Sequence, residues 1–142
     1  MLLTLAGCAV PDADARRTQD NDEPKIEDAV YSYLLEKDAW NSGDYTAVFL
    51  KARDAEVAAL MRKFPDHVPK LKTSDRVRMH DAASPIDKET GRPALVLAAI
   101  ASEPEGDQAQ AIGTYFAGPI VSGKYVFQLR KTNGAWEIES VR

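Results

Sequence analysis

The apolar positions of this chain follow two patterns, helical spacing in the first half and alternation in the last third. Residues 9–23 precede both and have no periodic apolar positions, so they cannot bury enough surface to offset the entropy of ordering them. From Pro24 onward, Ile26, Val30, Tyr33, Leu34 and Lys37 fall at helical spacing with Trp40 below them, which predicts one helix with a single apolar stripe. Proline is tolerated in a first turn, and Asp22 or Glu23 suits the positive end of the helix. Asn41-Ser42-Gly43-Asp44 interrupts the pattern: Gly43 suits a C-terminal cap, and Ser42 or Asp44 can cap the next helix. Val48, Phe49, Ala52, Ala55, Ala59 and Leu60 predict that second helix from about Tyr45 to Lys63, with a partly small-residue face. Phe64-Pro65-Asp66 ends it, because the Pro65 ring opposes helix continuation.

Pro65, Pro69 and Pro85 break up the middle of the chain. Within it, Val77 and Met79 alternate with Arg76, Arg78 and His80, predicting a short strand, and Asp81 to Arg92 reads as a loop with a turn at Thr90-Gly91. The last third is more regular. Pro93–Ser102 predicts a strand apolar on both sides. Gln108–Ala117 alternates, with Ile112, Thr114 and Phe116 on one side and Ala109, Ala111, Gly113 and Tyr115 on the other. Gly118-Pro119 interrupts, after which Tyr125, Phe127 and Leu129 alternate with Lys124, Gln128 and Arg130. Thr132-Asn133-Gly134 is a hairpin signal, since Asn-Gly readily adopts positive φ. In the final strand Trp136, Ile138 and Ser140 face one way, Glu137 and Glu139 the other. Helices first and an antiparallel meander second predict an α+β fold, with N-terminal helices packed on a curved antiparallel sheet.

Composition narrows the function classes. The 142 residues allow one domain. Lys and Arg total 18 against 22 Asp and Glu, a net charge of −4, and no basic block offers a nucleic-acid footprint. Cys8 is the single cysteine, so no intrachain disulfide can form. The apolar run Leu95 to Ala101 is bounded by Pro93 and Glu103-Pro104, within strand length and far short of the ~20 residues that span a bilayer.

After the apolar opening Met1-Leu2-Leu3-Thr4, the four residues Leu5-Ala6-Gly7-Cys8 resemble the lipobox of a bacterial lipoprotein. The resemblance implies cleavage before Cys8 and a diacylglycerol on its sulfur, making Cys8 the lipidation site. Only seven residues precede Cys8 and none is Lys or Arg, whereas a signal peptide has a basic start and spans about 15–30 residues. Residues 1–7 therefore read as a truncated lipoprotein signal segment, and residues 8–23 as the lipidated cysteine and a flexible tether. Ala9, where an aspartate would favour inner-membrane retention, implies the outer membrane, facing the periplasm. The expected partner at this end is the membrane, reached through acyl chains.

Residues 24–142 resemble the NTF2-like, or cystatin-like, α+β superfamily. The features that match are Asp38-Ala39-Trp40-Asn41-Ser42-Gly43-Asp44-Tyr45, the strand Tyr125-Val126-Phe127-Gln128-Leu129-Arg130, and the ending Asn133-Gly134-Ala135-Trp136-Glu137-Ile138. The superfamily contains isomerases, dehydratases, polyketide cyclases, transport factors, toxin-immunity proteins and lipoproteins. Its enzymes work in a cone between helix and sheet with an Asp or His as base, which implies a buried ionisable group with an oxyanion donor beside it. His80 and Asp81 are weak catalytic candidates, since a carboxylate can orient an imidazole, but neighbours along a strand face opposite ways. His67, beside Asp66, is weaker still. Asp38 and Asp44 are explained as caps or solvated residues. Tyr33, Trp40 and Tyr115 are weak ligand-binding candidates, competing with a plain packing role. Two histidines at no recognised ligand spacing give no metal site, and no cofactor motif is present. Lys70, Lys72, Arg76 and Arg78 form a modest basic zone that could face an anionic headgroup or acidic partner. The expected function is a non-enzymatic, envelope-anchored lipoprotein domain that binds a protein partner or assists an envelope assembly. The alternatives are a small apolar-ligand binder or isomerase/cyclase-like enzyme using the cone, and a toxin-immunity protein.

Overall fold

Helix α1 covers 22–35 among the described residues and buries Ile26, Val30 and Leu34 as expected, together with Tyr31 and Leu35, whereas Tyr33 is only half-buried and Lys37 lies outside the described residues. The structure is a computed structural model that describes residues 22–36, 45, 47–80 and 84–142, with the backbone alone at His80. Trp40, the Asn41–Asp44 turn, Cys8 with the segment around it, and Asp81 lie outside the described residues. At the start of α1, the buried Asp22 carboxylate meets Lys131 Nζ at 3.1 Å.

The expected second helix is shorter than its pattern suggested. Its first part is a strand, β1 (Ala47–Leu50), buried at every position, and helix α2 covers only Asp54–Lys63. Val48 and Leu50 belong to the main core, whereas Ala47 and Phe49 pack on the opposite side of the sheet. A strand covered on both faces is apolar throughout, so over four residues it cannot be told from one side of a buried helix. Phe64 ends α2 as expected, its N–H donating to the Leu60 carbonyl at 2.8 Å.

Next come β2 (Lys70–Thr73), a single 3-10 turn (Ser74–Arg76), β3 (Val77–His80) and β4 (Ser84–Asp87). β3 is the short strand expected from the alternation. β4 falls where a loop was expected: it pairs antiparallel with β3, placing Met79 opposite Pro85. Strands β5 (Leu95–Ala101), β6 (Gln108–Phe116), β7 (Ser122–Thr132) and β8 (Ala135–Val141) complete the chain. The main sheet has six strands in the order β2-β1-β5-β6-β7-β8. It is curved and mostly antiparallel, but β1 runs parallel to both of its neighbours, β2 and β5. The fold is thus α+β, with helices and a mainly antiparallel sheet, and β1–α2–β2 forms a parallel crossover at one end.

The core lies between the helices and the inner sheet face, where α1 meets Ala99, Ala111, Phe127 and Leu129 and α2 adds Val57 and Leu60. On β6 the small residues point inward and Ile112 points out, because α1 comes too close for anything larger. A Cβ on Gly113 would lie 2.8 Å from Phe127 Cε2 and 3.0 Å from Val30 Cγ1. On the outer face, β3 and β4 cover β1: Ala47, Phe49 and Ala94 are buried there with Val77 and Val96 against them.

Tyr31 ties the helix to the sheet. Lys51 N–H still donates to the Leu97 carbonyl at 2.9 Å, continuing the parallel β1–β5 ladder. One rung further on, the Tyr31 hydroxyl lies between the strands: it accepts from Ala99 N–H at 3.0 Å and donates to the Lys51 carbonyl at 2.9 Å. A side chain thus completes a rung where the two strands part.

The β7–β8 hairpin turns at Asn133 (φ 52°) and Gly134 (φ 82°), the left-handed pair expected from Asn-Gly. The final strand departs from simple alternation. Leu129 pairs with Ile138 but Gln128 pairs with Ser140, which leaves Glu139 as the extra residue of a bulge. The inner face therefore runs Trp136, Ile138, Val141, and Ser140 is displaced to the exposed side.

Candidate functional site

The tyrosines singled out from the sequence belong to one aromatic row. Tyr33 meets Phe127 edge-on at 5.4 Å between centroids, Phe127 lies 6.3 Å from Tyr125, and Tyr125 lies 5.9 Å from Tyr115. Tyr115 also covers Gly123, where any Cβ would collide with its ring. Tyr33 and Tyr115 are thus joined through Phe127 and Tyr125 and packed against the core, where Val30, Leu34 and Phe127 crowd Gly113. His80 ends β3 opposite Ser84, and its expected partner Asp81 lies outside the described residues. His67 is held between backbone carbonyls: Nδ1 lies 2.6 Å from the Pro69 oxygen and Nε2 3.0 Å from the Leu35 oxygen. The ring thus sits between the end of α1 and the loop before β2.

Within the basic zone, Lys72 is neutralised by carboxylates of the same fold. Lys72 reaches Asp87 at 2.9 Å and Glu89 at 2.5 Å, and Lys88 Nζ donates to the Asp75 carbonyl at 2.8 Å. Burial pushes the Asp87 carboxyl up, but the hydrogen bonds from Lys72 and from Glu89 N–H outweigh it and hold it below the usual carboxylate value. Among the described residues no group of three or more His, Cys, Asp or Glu could hold a metal ion, and no helix is long and apolar enough to cross a membrane.

Two surfaces remain. The first is the outer sheet face beyond the cover of β3 and β4. Ile100, Ile112 and Val126 lie directly opposite one another on β5, β6 and β7. Ile100 is 68% and Ile112 38% exposed. Ile120, 95% exposed, projects from the loop between β6 and β7. The alternation along β6 already sends Ile112 outward, but only the tertiary structure shows that β3 and β4 stop short of this row.

The second surface is the helix side of the fold, centred on Glu56 in the first turn of α2. Arg53 Nε holds Glu56 Oε1 at 2.7 Å, and this bond raises the Arg53 pKa. Glu27 of α1 lines the same cleft, of about 340 Å³. Burial first, and the neighbouring Glu56 charge second, raise the Glu27 carboxyl above its ordinary value. On its other side Glu56 lines a groove of about 570 Å³ together with Ala29, Ala55, Ala59, Lys63 and Trp136. Glu27 and Glu56 do not stand out in the sequence because each looks like a solvated helix residue until α1 and α2 are placed side by side. The one local signal is Glu56 three residues after Arg53, at a spacing where helix side chains meet. Compared with protein families, curated proteins and solved structures, the chain matches none.

Proposed function

We propose that this chain is a lipid-anchored domain of the bacterial envelope, NTF2-like in architecture, that binds a protein partner through the uncovered half of its outer sheet face. The observation behind this reading is the apolar row Ile100–Ile112–Val126 on three adjacent strands, with two isoleucines open to solvent. Single exposed apolar residues are ordinary on a protein surface, but apolar side chains adjacent on three strands form a contiguous patch, the kind of surface that marks an interaction site. Val30, Leu34 and Phe127 crowd the space between α1 and the sheet around Gly113, which supports this reading over an isomerase-like use of the cone. In this proposal Cys8 carries the lipid, the residues after it up to the start of the described helix span from membrane to domain, in place of the expected tether to residue 23, and Ala9 directs the protein to the outer membrane, periplasmic side. A toxin neutralised by an immunity protein is one kind of partner such a face can take.

The test has two arms. Labelled palmitate fed to expressing cells should enter the wild-type chain and not Cys8→Ser. Photo-crosslinkers at positions 100 and 112 should capture a stoichiometric envelope protein, and Ile100→Lys with Ile112→Lys should abolish that capture without moving the urea midpoint. Equal labelling of Cys8→Ser overturns the anchor, and capture indifferent to the lysine variants overturns the interface.

A further inference from the structure

The groove on the helix side poses a separate problem of unmet hydrogen bonds. Among the described residues, two buried side-chain polar atoms have no partner, Glu56 Oε2 and Trp136 Nε1. Trp136 is 8% exposed and the Glu56 side chain 15%. Buried polar atoms in folded proteins are nearly always satisfied, and those that are not need an explanation. Both residues line the same groove between α1, α2 and the β7–β8 hairpin, of about 570 Å³.

We propose that this groove binds a small α-ammonium amide, the chemistry of an amino-acid amide or of a peptide N-terminus. The two orphan atoms have opposite needs. Glu56 Oε2 is a charged acceptor that calls for a cationic donor. Trp136 Nε1 can only donate and calls for a carbonyl. An α-ammonium amide supplies both on adjacent carbons. The neighbouring cations do not meet the demand of Glu56. Lys63 is taken by Ser32 Oγ at 2.7 Å and Asp28 at 3.6 Å, and Lys25 lies 3.9 Å from Asp22. Arg53 occupies the other carboxylate oxygen, fixing the side chain and leaving Oε2 toward no protein donor. Ala29, Ala55 and Ala59 line the remainder with small apolar side chains, leaving room for the ligand's own side chain. The site lies on the helix side of the sheet and does not depend on the outer face.

The experiment follows the Trp136 indole N–H by 15N NMR on the full chain while leucinamide is added. The controls are 4-methylpentanamide, which lacks the ammonium, and 3-methylbutylamine, which lacks the carbonyl. Leucinamide should shift the signal saturably and bind at least about tenfold more tightly than either control, the loss expected when one charge-assisted or buried hydrogen bond goes unmade. Glu56→Gln should weaken it by a similar factor. Ala59→Leu, which fills the groove and leaves both orphan atoms in place, should abolish binding while circular dichroism stays that of the wild type. A stronger response to the tripeptide amide Leu-Ala-Ala assigns the site to a peptide N-terminus, and a weaker one to a free amide. No saturable shift, equal affinity for leucinamide and both controls, or binding unaffected by both variants overturns the proposal.

Discussion

Removing the Tyr31 hydroxyl tests whether a side chain truly completes the β1–β5 ladder. In Tyr31→Phe the ring stays in the core and two hydrogen bonds disappear, those with Ala99 N–H at 3.0 Å and the Lys51 carbonyl at 2.9 Å. Each is worth about 1 kcal/mol net, and a backbone group stranded in the interior costs about 1–3 kcal/mol. The strands have already parted at this point, so they cannot close the gap without moving α1. A loss of about 2 kcal/mol at neutral pH is therefore expected from urea unfolding. The alkaline limb gives a second reading. Burial, opposed by the Ala99 hydrogen bond and assisted by Glu27 and Glu56, pushes the Tyr31 phenol up to about 12. A folded-state pKa above the unfolded value of about 10 means the folded chain holds this proton longer. Its contribution is complete below pH ~10 and is lost as pH rises toward ~12, by up to about 3 kcal/mol for two units of displacement. The difference between wild type and Tyr31→Phe should therefore shrink across that window. A variant within about 0.5 kcal/mol of wild type at pH 7, with a parallel alkaline limb, would refute the inserted rung.

Two further substitutions probe the sheet's covers. Asp87→Ala strips the Lys72 ammonium of its buried partner and should cost about 2–4 kcal/mol by urea denaturation. Because the Asp87 carboxyl is held below its ordinary value, the stability it contributes is present above pH ~4 and fades as pH falls through the folded value, so the variant's deficit should narrow in acid. Gly113→Ala places a methyl against Phe127 and Val30 and should lower stability by about 1–3 kcal/mol, and Val30→Ala in the same chain should recover part of it. A neutral Gly113→Ala would mean that α1 stands farther from β6 than these contacts require.

The parts of the fold legible in the sequence were those where one pattern decides. The α1 stripe, the Phe64-Pro65 stop, the alternation of β6 and β7 and the Asn133-Gly134 turn each derive from local spacing or φ preference. The parts that were not legible depend on what packs from elsewhere. Ala47–Leu50 reads as helix because β3 and β4 bury its second face, and that cover comes from residues about thirty positions later. β4 was hidden by Pro85, which is tolerated because among the described residues that strand meets, outside β3, only the short bridge at Pro93, where Pro85 accepts from Ala94 N–H and need not donate. The Glu139 bulge reverses the outlook of Ser140 and Val141, and nothing in a run of alternating residues announces it. For the same reason Glu56 and Trp136 were invisible as a pair. They lie far apart in the chain, and only the placing of α2 beside the last hairpin puts them on one groove.

The contact between Asp22 and Lys131 also decides where this domain resists a pull. Lys131 stands on β7, which is laced to β6 and β8 on either side, and it grips the first residue of α1. A force applied along the chain from its N-terminal side is therefore shared through this ion pair with the interior of the sheet as well as carried by α1. The clamp makes α1 and the last hairpin one mechanical unit, and the strand that meets the load has hydrogen-bonded neighbours along both edges.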